Sequence, residues 1–316
     1  MSVIPQRRIG RDGPLTGVLS LGSWHTYDRM DFREAVKLVR TAVDHGITLF
    51  DVGVYGFPGS TPVFTDVLFS AMVRAAGLRR EDYLLSAKLW LENYPTQSLR
   101  DQLDNALFRA GVEHADLVVL GDLRRDDTDL HQLVLDLDEL RQAGLIRQWG
   151  VNNWSATTIR ALHEFAQTEN VPGPAIAQLK YSVARRSIPD GEPFAAVFGE
   201  LGVTLQSSDV FEGGVLLGKS SSRQIGRDPG GIRQRITDSA EGIQKLANEL
   251  GATPAQLCLA FTLTHPANTT TLFGATSTGQ LLDNLGAVDL AERVPNLREL
   301  VEPFWADRGV VDPEGP

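Results

Sequence analysis

The chain has 316 residues, of which 42% are hydrophobic and 22% charged, and a net charge of −10, a balance that suits a globular domain and argues against nucleic acid or an anionic membrane surface as partner. Cys258 is the only cysteine, so no internal disulfide is available and a reducing compartment fits. No apolar run approaches the roughly 18 residues of a membrane-spanning helix, and the first residues lack the apolar core of a signal peptide, so a cytoplasmic enzyme or binding protein is the expectation. In chain order, residues 7–9 and 15–16 flank an Asp12-Gly13 turn and read as a hairpin. Short apolar runs at 18–21, 47–51, 84–87, 117–120, 148–151, 175–179, 203–206 and 271–273 read as buried strands. Between them, apolar periodicity predicts helices over 32–44, 65–76, 98–110, 130–143, 155–167 and 194–201. A Gly/Ser-rich insertion covers 207–235, followed by helices over 239–250, 254–264 and 278–286 and a last one over 296–306. Eight strands alternating with helices predict a parallel (β/α)8 barrel, with an N-terminal hairpin and a long loop after strand seven, as one domain over 1–316.

Such barrels carry their chemistry at the carboxyl ends of the strands. Strand two ends in Asp51, and Tyr55 follows in a Gly-flanked loop; strand three ends in Lys88. A carboxylate at the end of a buried strand is costly unless a cation meets it. Alone, Asp51 also reads as a cap residue and Tyr55 as a surface tyrosine. With Lys88 at the neighbouring strand end, the three read as a general acid: Tyr55 donating, the Lys88 charge lowering its pKa, Asp51 holding Lys88. The six histidines show no metal-ligand spacing.

These residues resemble the Asp, Tyr and Lys of the aldo-keto reductases, and the likeness covers nearly the whole chain. Ser23-Trp24 is similar to the family's Gly-Thr-Trp, Asn152-Asn153 to its Ser-Asn pair, and Gln178 to its glutamine. Residues 274–284 resemble the tail motif of the branch that includes the potassium-channel β subunits. The resemblance implies a cofactor, NADPH or else NADH, held by Ser23, Trp24, Asn152, Asn153, Gln178, Ser207, Gly274, Thr276, Gln280 and Asn284. It leaves room for a homo-oligomer.

Three departures stand out. Gly121 occupies the place of the family's histidine after strand four, and the loss of one such donor costs roughly 3 kcal/mol. Either Asp122 or His25 fills the gap, or an enlarged pocket accepts a bulky substrate. Three residues rather than four separate Asp51 from Tyr55, a shift of up to about 3.5 Å; either Gly53 lets the loop recover its geometry or Tyr55 is not the acid. At strand seven the stacking aromatic is gone, and Asp209 is expected to repel a pyrophosphate, while Arg223 or Arg227 in the long loop can supply positive charge. The leading reading is an NAD(P)H-dependent reductase of a carbonyl. A cofactor-independent lyase, dehydratase or isomerase on the same barrel, or a non-catalytic regulatory homologue, stays open.

Overall fold

A computed structural model of the chain describes residues 3–56 and 61–315. Strands β1 (Gln6–Arg8) and β2 (Leu15–Gly17) pair antiparallel as the predicted hairpin. The barrel strands are β3 (Leu19–Gly22), β4 (Leu49–Val52), β7 (Leu84–Leu89), β8 (Ala115–Leu120), β9 (Ile146–Asn152), β10 (Ile176–Lys180), β11 (Thr204–Ser208) and β12 (Asn268–Phe273). They close in that order, each parallel to the next, with β12 returning to β3. A strand covered on both faces has no polar side to show. Ala115–Leu120 accordingly reads ADLVVL, with all six residues buried.

Helices alternate with the strands and start where side chains can meet the first free backbone N–H groups. Asp31 accepts from Arg33 and Glu34 ahead of α1 (Phe32–Asp44), Ser98 from Asp101 ahead of the helix Leu99–Ala110, and Ser155 from Thr158 ahead of Ala156–Glu169. Each such cap is worth about 1 kcal/mol. The outward strand faces join the helices in one large apolar layer. Inside the barrel, Ile9 of the hairpin packs on Leu49, Leu117, Val119 and Ile176 and plugs the amino-terminal end. Asp51, Lys88 and Gln178 lie beyond this plug, toward the end where the strands finish.

Four elements differ from expectation. Val54–Tyr55 (β5) and Val63–Phe64 (β6) pair antiparallel over the end of β4, where a plain loop is expected. The helix expected from 239 begins at Ile232, because Ile232, Ile236, Ile243 and Ala247 already follow helical spacing and are buried. The helix expected over 278–286 ends at Asn284, and a second one, Gly286–Arg293, follows it across Leu285. The predicted helix over 296–306 is only a turn, Leu297–Leu300, and a 3-10 segment, Glu302–Phe304. Pro303 in its middle lacks an N–H and clashes with a helical carbonyl behind it.

Candidate active site

Side chains alternate along a strand, so inward positions repeat every second residue. Register pairs Gly22 with Asp51 and Asp51 with Ser86, which puts Asp51 on the inner face and Lys88 two positions beyond Ser86. On β10 the inner face carries Ile176, Gln178 and Lys180; on β11 it carries Gln206 and Ser208. Four of these inward groups meet across the barrel. Gln178 Nε2 donates to Asp51 Oδ2 at 2.8 Å and to Gln206 Oε1 at 2.7 Å. Lys88 Nζ donates to Gln178 Oε1 and lies 3.5 Å from Asp51 Oδ2. Exposure is 1% for Asp51, 7% for Lys88 and 3% for Gln178, so the pair is shielded from water and its partners are not replaceable by solvent.

Tyr55 roofs this cluster from β5. Its phenol lies within hydrogen-bonding reach of the Ser23 and Asp51 side chains. Ser23 is tied to Thr65 at 2.7 Å, and the Thr65 hydroxyl clamps Gly53, accepting from its N–H and donating to its carbonyl. A Cβ on Gly53 would stand 3.0 Å from Lys88 Cβ, so glycine lets the shortened loop lie directly on the lysine. That is how a loop one residue short still brings Tyr55 over Asp51.

The phenol's titration runs opposite to expectation. Burial first, and the Asp51 carboxylate second, push the Tyr55 pKa well above the usual phenol value. Lys88 was expected to lower it, but the ammonium is turned to Gln178 and Asp51 beneath the ring. Tyr55 is therefore a firmly protonated phenol.

Aromatic rings wall the phenol. Trp24 stacks on Tyr55 with centroids 5.6 Å apart, and Trp90 meets it edge-on at 6.0 Å. Trp90 also accounts for Gly121: a Cβ there would fall 2.4 and 2.7 Å from indole atoms Cε3 and Cζ3. The indole fills the place of the missing side chain. Its Nε1 donates to Val54 O at 3.0 Å, so it offers no donor to a ligand. His25 borders the same space, held by Arg29 at 3.0 Å, with its pKa lowered by burial and then by Arg223.

Asn152 and Asn153 both donate to Asp122 Oδ1, at 2.5 and 3.0 Å, and Asn153 Oδ1 accepts from Lys180 N at 3.3 Å. Asp122 thus orients the two amides instead of standing in for the histidine. Asn153 adopts φ 56°, one of few non-glycine residues in the left-handed region, as are His25 and Asp209 at the same cleft. Ser207 does not reach the cleft: its hydroxyl donates to Asn268 Oδ1 at 2.7 Å on the outer face of β11. The strand runs on to Ser208, and alternation turns that residue inward to line the cleft. Asp209 is not a free negative charge either, because Arg223 pairs with it at 2.7 Å while lying 4.1 Å over the Trp24 ring.

At the other end of the cleft are Gly274, Thr276, Gln280 and Asn284. Thr276 N donates to Gln280 Oε1 at 2.9 Å, and Ser277 caps the helix that carries Gln280 and Asn284. One cleft of about 1860 Å³ joins these residues to Asp51, Tyr55 and Lys88. That exceeds the roughly 300–1,000 Å³ of an ordinary small-molecule pocket. Its described lining holds seven lysines and arginines against five carboxylates, in a chain whose net charge is −10. An elongated, locally cationic cleft fits a phosphate-bearing dinucleotide with room for a second molecule. Among the described residues no cluster of three or more His, Cys, Asp or Glu is arranged to hold a metal, and no helix is long and apolar enough to cross a membrane.

Trp90, Gln206 and Lys180 were not singled out in the sequence. Two of them stand two positions from a recognised residue on its own strand or just past its end, where alternation alone points to them.

The pattern of the aldo/keto reductase family matches residues 18–296. A putative voltage-gated potassium channel subunit beta of Schizosaccharomyces pombe is 27% identical, over 92% of this chain and 90% of its own length. Probable voltage-gated potassium channel beta subunits of Oryza sativa subsp. japonica and Arabidopsis thaliana are 26% and 24% identical, covering 90% and 93% of this chain and 91% and 93% of their own. With its closed parallel barrel and a match over most of its length, this chain belongs to the aldo/keto reductase family.

Proposed function

We propose that the protein is an NADPH-dependent reductase of a carbonyl compound, with Tyr55 as proton donor. The observation that supports this is the single cleft that joins the Asp51, Tyr55 and Lys88 cluster to Thr276, Gln280 and Asn284. When bound, the nicotinamide supplies the hydride that reduces the carbonyl carbon. Tyr55 supplies the proton to the carbonyl oxygen, giving an alcohol. Its raised pKa keeps the phenol protonated through the neutral range, as an acid requires. Asp51, Lys88 and Gln178 form the rigid floor beneath it, and Trp24 and Trp90 exclude water from its sides. The Thr276 hydroxyl and the Gln280 and Asn284 amides would hold the adenine end; the Thr276 hydroxyl and the cleft's cations favour NADPH over NADH. Ser23 and Trp24 would border the nicotinamide end through Tyr55.

The carboxamide end of the site is unusual. Gln178 and Asn153 are each bonded to protein partners through both amide atoms. Contact with a nicotinamide carboxamide would use their second lone pairs and N–H groups. With Trp90 in the histidine's place, Tyr55 is the one phenolic donor to the carbonyl, and turnover should be slow.

The test is Tyr55→Phe, assayed by NADPH oxidation with a panel of aldehydes and ketones. General-acid loss predicts a fall in kcat of about 100-fold or more, with NADPH affinity within twofold of the parent. A variant that retains nearly full kcat would remove Tyr55 from the reaction.

A further inference from the structure

The charges at the strand ends do not cancel. Asp51 has Lys88 at 3.5 Å, Asp209 has Arg223 at 2.7 Å, and Asp122 has Arg124 at 4.0 Å as well as the two asparagine amides. Lys180 is the cation at these strand ends with no carboxylate within ion-pair distance among the described residues. Its backbone N–H bonds to Asn153, but among the described residues its ammonium enters no hydrogen bond or ion pair. The side chains of residues 1, 2, 57–60 and 316 include no acid. Lys180 follows Ile176 and Gln178 on the inner face of β10 and lines the cleft. Its side chain is neither buried nor out in bulk solvent. Two further cations of the cleft lack an acid, but Arg29 is tied to His25 and Lys219 is exposed.

We propose that Lys180 receives an anionic group of the substrate, so that the protein acts on carbonyl compounds that carry a carboxylate. A half-buried ammonium in the cleft wall, with no acid beside it among the described residues, is poised to gain a charge-assisted hydrogen bond on binding. The need is general for this chain: its overall charge repels anions, and only a local cation reverses that. Lys180 also stands on β10, across the barrel mouth from Tyr55 above β4. A carbonyl at the phenol and a carboxylate at Lys180 would lie at opposite sides of one cleft. A planar spacer between them suits the walls made by Trp24, Tyr55 and Trp90. The use of this contact in catalysis rests on the reductase reading; the contact itself does not.

The experiment compares 4-carboxybenzaldehyde with methyl 4-formylbenzoate, a neutral ester close to it in shape. Binding of each is followed by isothermal titration, and turnover by NADPH oxidation, in the parent, Lys180→Met and Lys180→Arg. The parent should favour the acid by about 10- to 100-fold, the factor carried by one charge-assisted hydrogen bond. Lys180→Met should erase that preference by raising Kd and KM for the acid alone, at unchanged kcat for the ester and unchanged NADPH affinity. Lys180→Arg should restore most of it. Equal affinity of the parent for both probes, or a preference that survives Lys180→Met, overturns the proposal. So does a Lys180→Met protein that loses NADPH affinity instead, since the lysine would then serve the cofactor's phosphates. If the acid is preferred in binding but neither probe is turned over with NADPH, the reductase reading fails and the Lys180 contact stands. If both are reduced without preference, the reverse holds.

Discussion

Adding one methyl group at Gly121 should be costly, although alanine suits a strand end as well as glycine does. The new Cβ would lie 2.4 and 2.7 Å from the Trp90 ring, inside any real carbon contact. Neither side can yield cheaply. Gly121 is held by its N–H on Leu89 O at 2.8 Å and by Trp154 Nε1 on its carbonyl at 2.8 Å. Trp90 is held by Val54 O, by the Gln102 amide on its own N–H and carbonyl, and by the edge contact with Tyr55. Overpacking of a tight site costs about 1–3 kcal/mol. Freeing the indole to move adds the loss of one hydrogen bond, about 1 kcal/mol, and of an aromatic pair, about 0.5–1.5 kcal/mol. The smaller of the two routes is taken, so Gly121→Ala should destabilise by about 2 kcal/mol. Urea denaturation measures it as a lowered midpoint at constant slope. In a double-mutant cycle, the same change in a Trp90→Ala background should be nearly neutral, giving a coupling of about 1–2 kcal/mol. A Gly121→Ala protein within about 0.5 kcal/mol of the parent, or a null coupling, would refute the claim that the indole occupies the histidine's place. Gly121→His alone should then fail to restore a donor, because the ring has no room beside Trp90.

Two other outcomes follow from burial. Lys88→Met strips the buried Asp51 carboxylate of its cation and Gln178 of a donor, and should cost about 3–5 kcal/mol in urea denaturation. Adding Asp51→Asn should recover part of that, whereas a loss below about 1 kcal/mol would show the pair to be solvated. Stability should also fall as pH drops below about 6.5, the free imidazole value. His265 is buried and neutral, its Nδ1 accepting from Ala267 N at 3.1 Å and its Nε2 facing Pro189 O at 3.2 Å. Burial lowers its folded pKa, and that of His163 likewise. A group lowered on folding contributes stability above its unfolded pKa and loses it as pH falls toward the folded one. The urea midpoint should therefore be lower at pH 5 than at pH 7.5, and His265→Gln should flatten the difference. An equal or higher midpoint at pH 5 would contradict this.

The barrel was legible because both faces of its strands are covered, so each strand is a short apolar run that ends in a polar residue. Asp51 and Lys88 stood out for that reason, and Gln178 by its resemblance to the family's glutamine. Ser207 is not a cleft residue because strand seven runs past the expected end at 206 to Ser208, and alternation assigns the inward place to that residue. The upward direction of the Tyr55 pKa was not readable, since it depends on how far Lys88 and Asp51 lie from the phenol in space. The role of Trp90 was equally hidden, because Gly121 and Trp90 are remote in sequence and meet only across β7 and β8. The early start of the helix at Ile232 was obscured by the Gly- and Arg-rich stretch before it.

The most direct test of the reductase reading is a fluorescence titration of the purified protein with NADPH and, separately, NADH. Trp24 and Trp90 lie at the cleft and report on occupancy. Saturation by NADPH at micromolar concentration or tighter, with NADH weaker, is expected. No saturation by either cofactor up to millimolar concentration would contradict it, and the Asp51, Tyr55 and Lys88 cluster would then have to serve a chemistry that needs no nicotinamide.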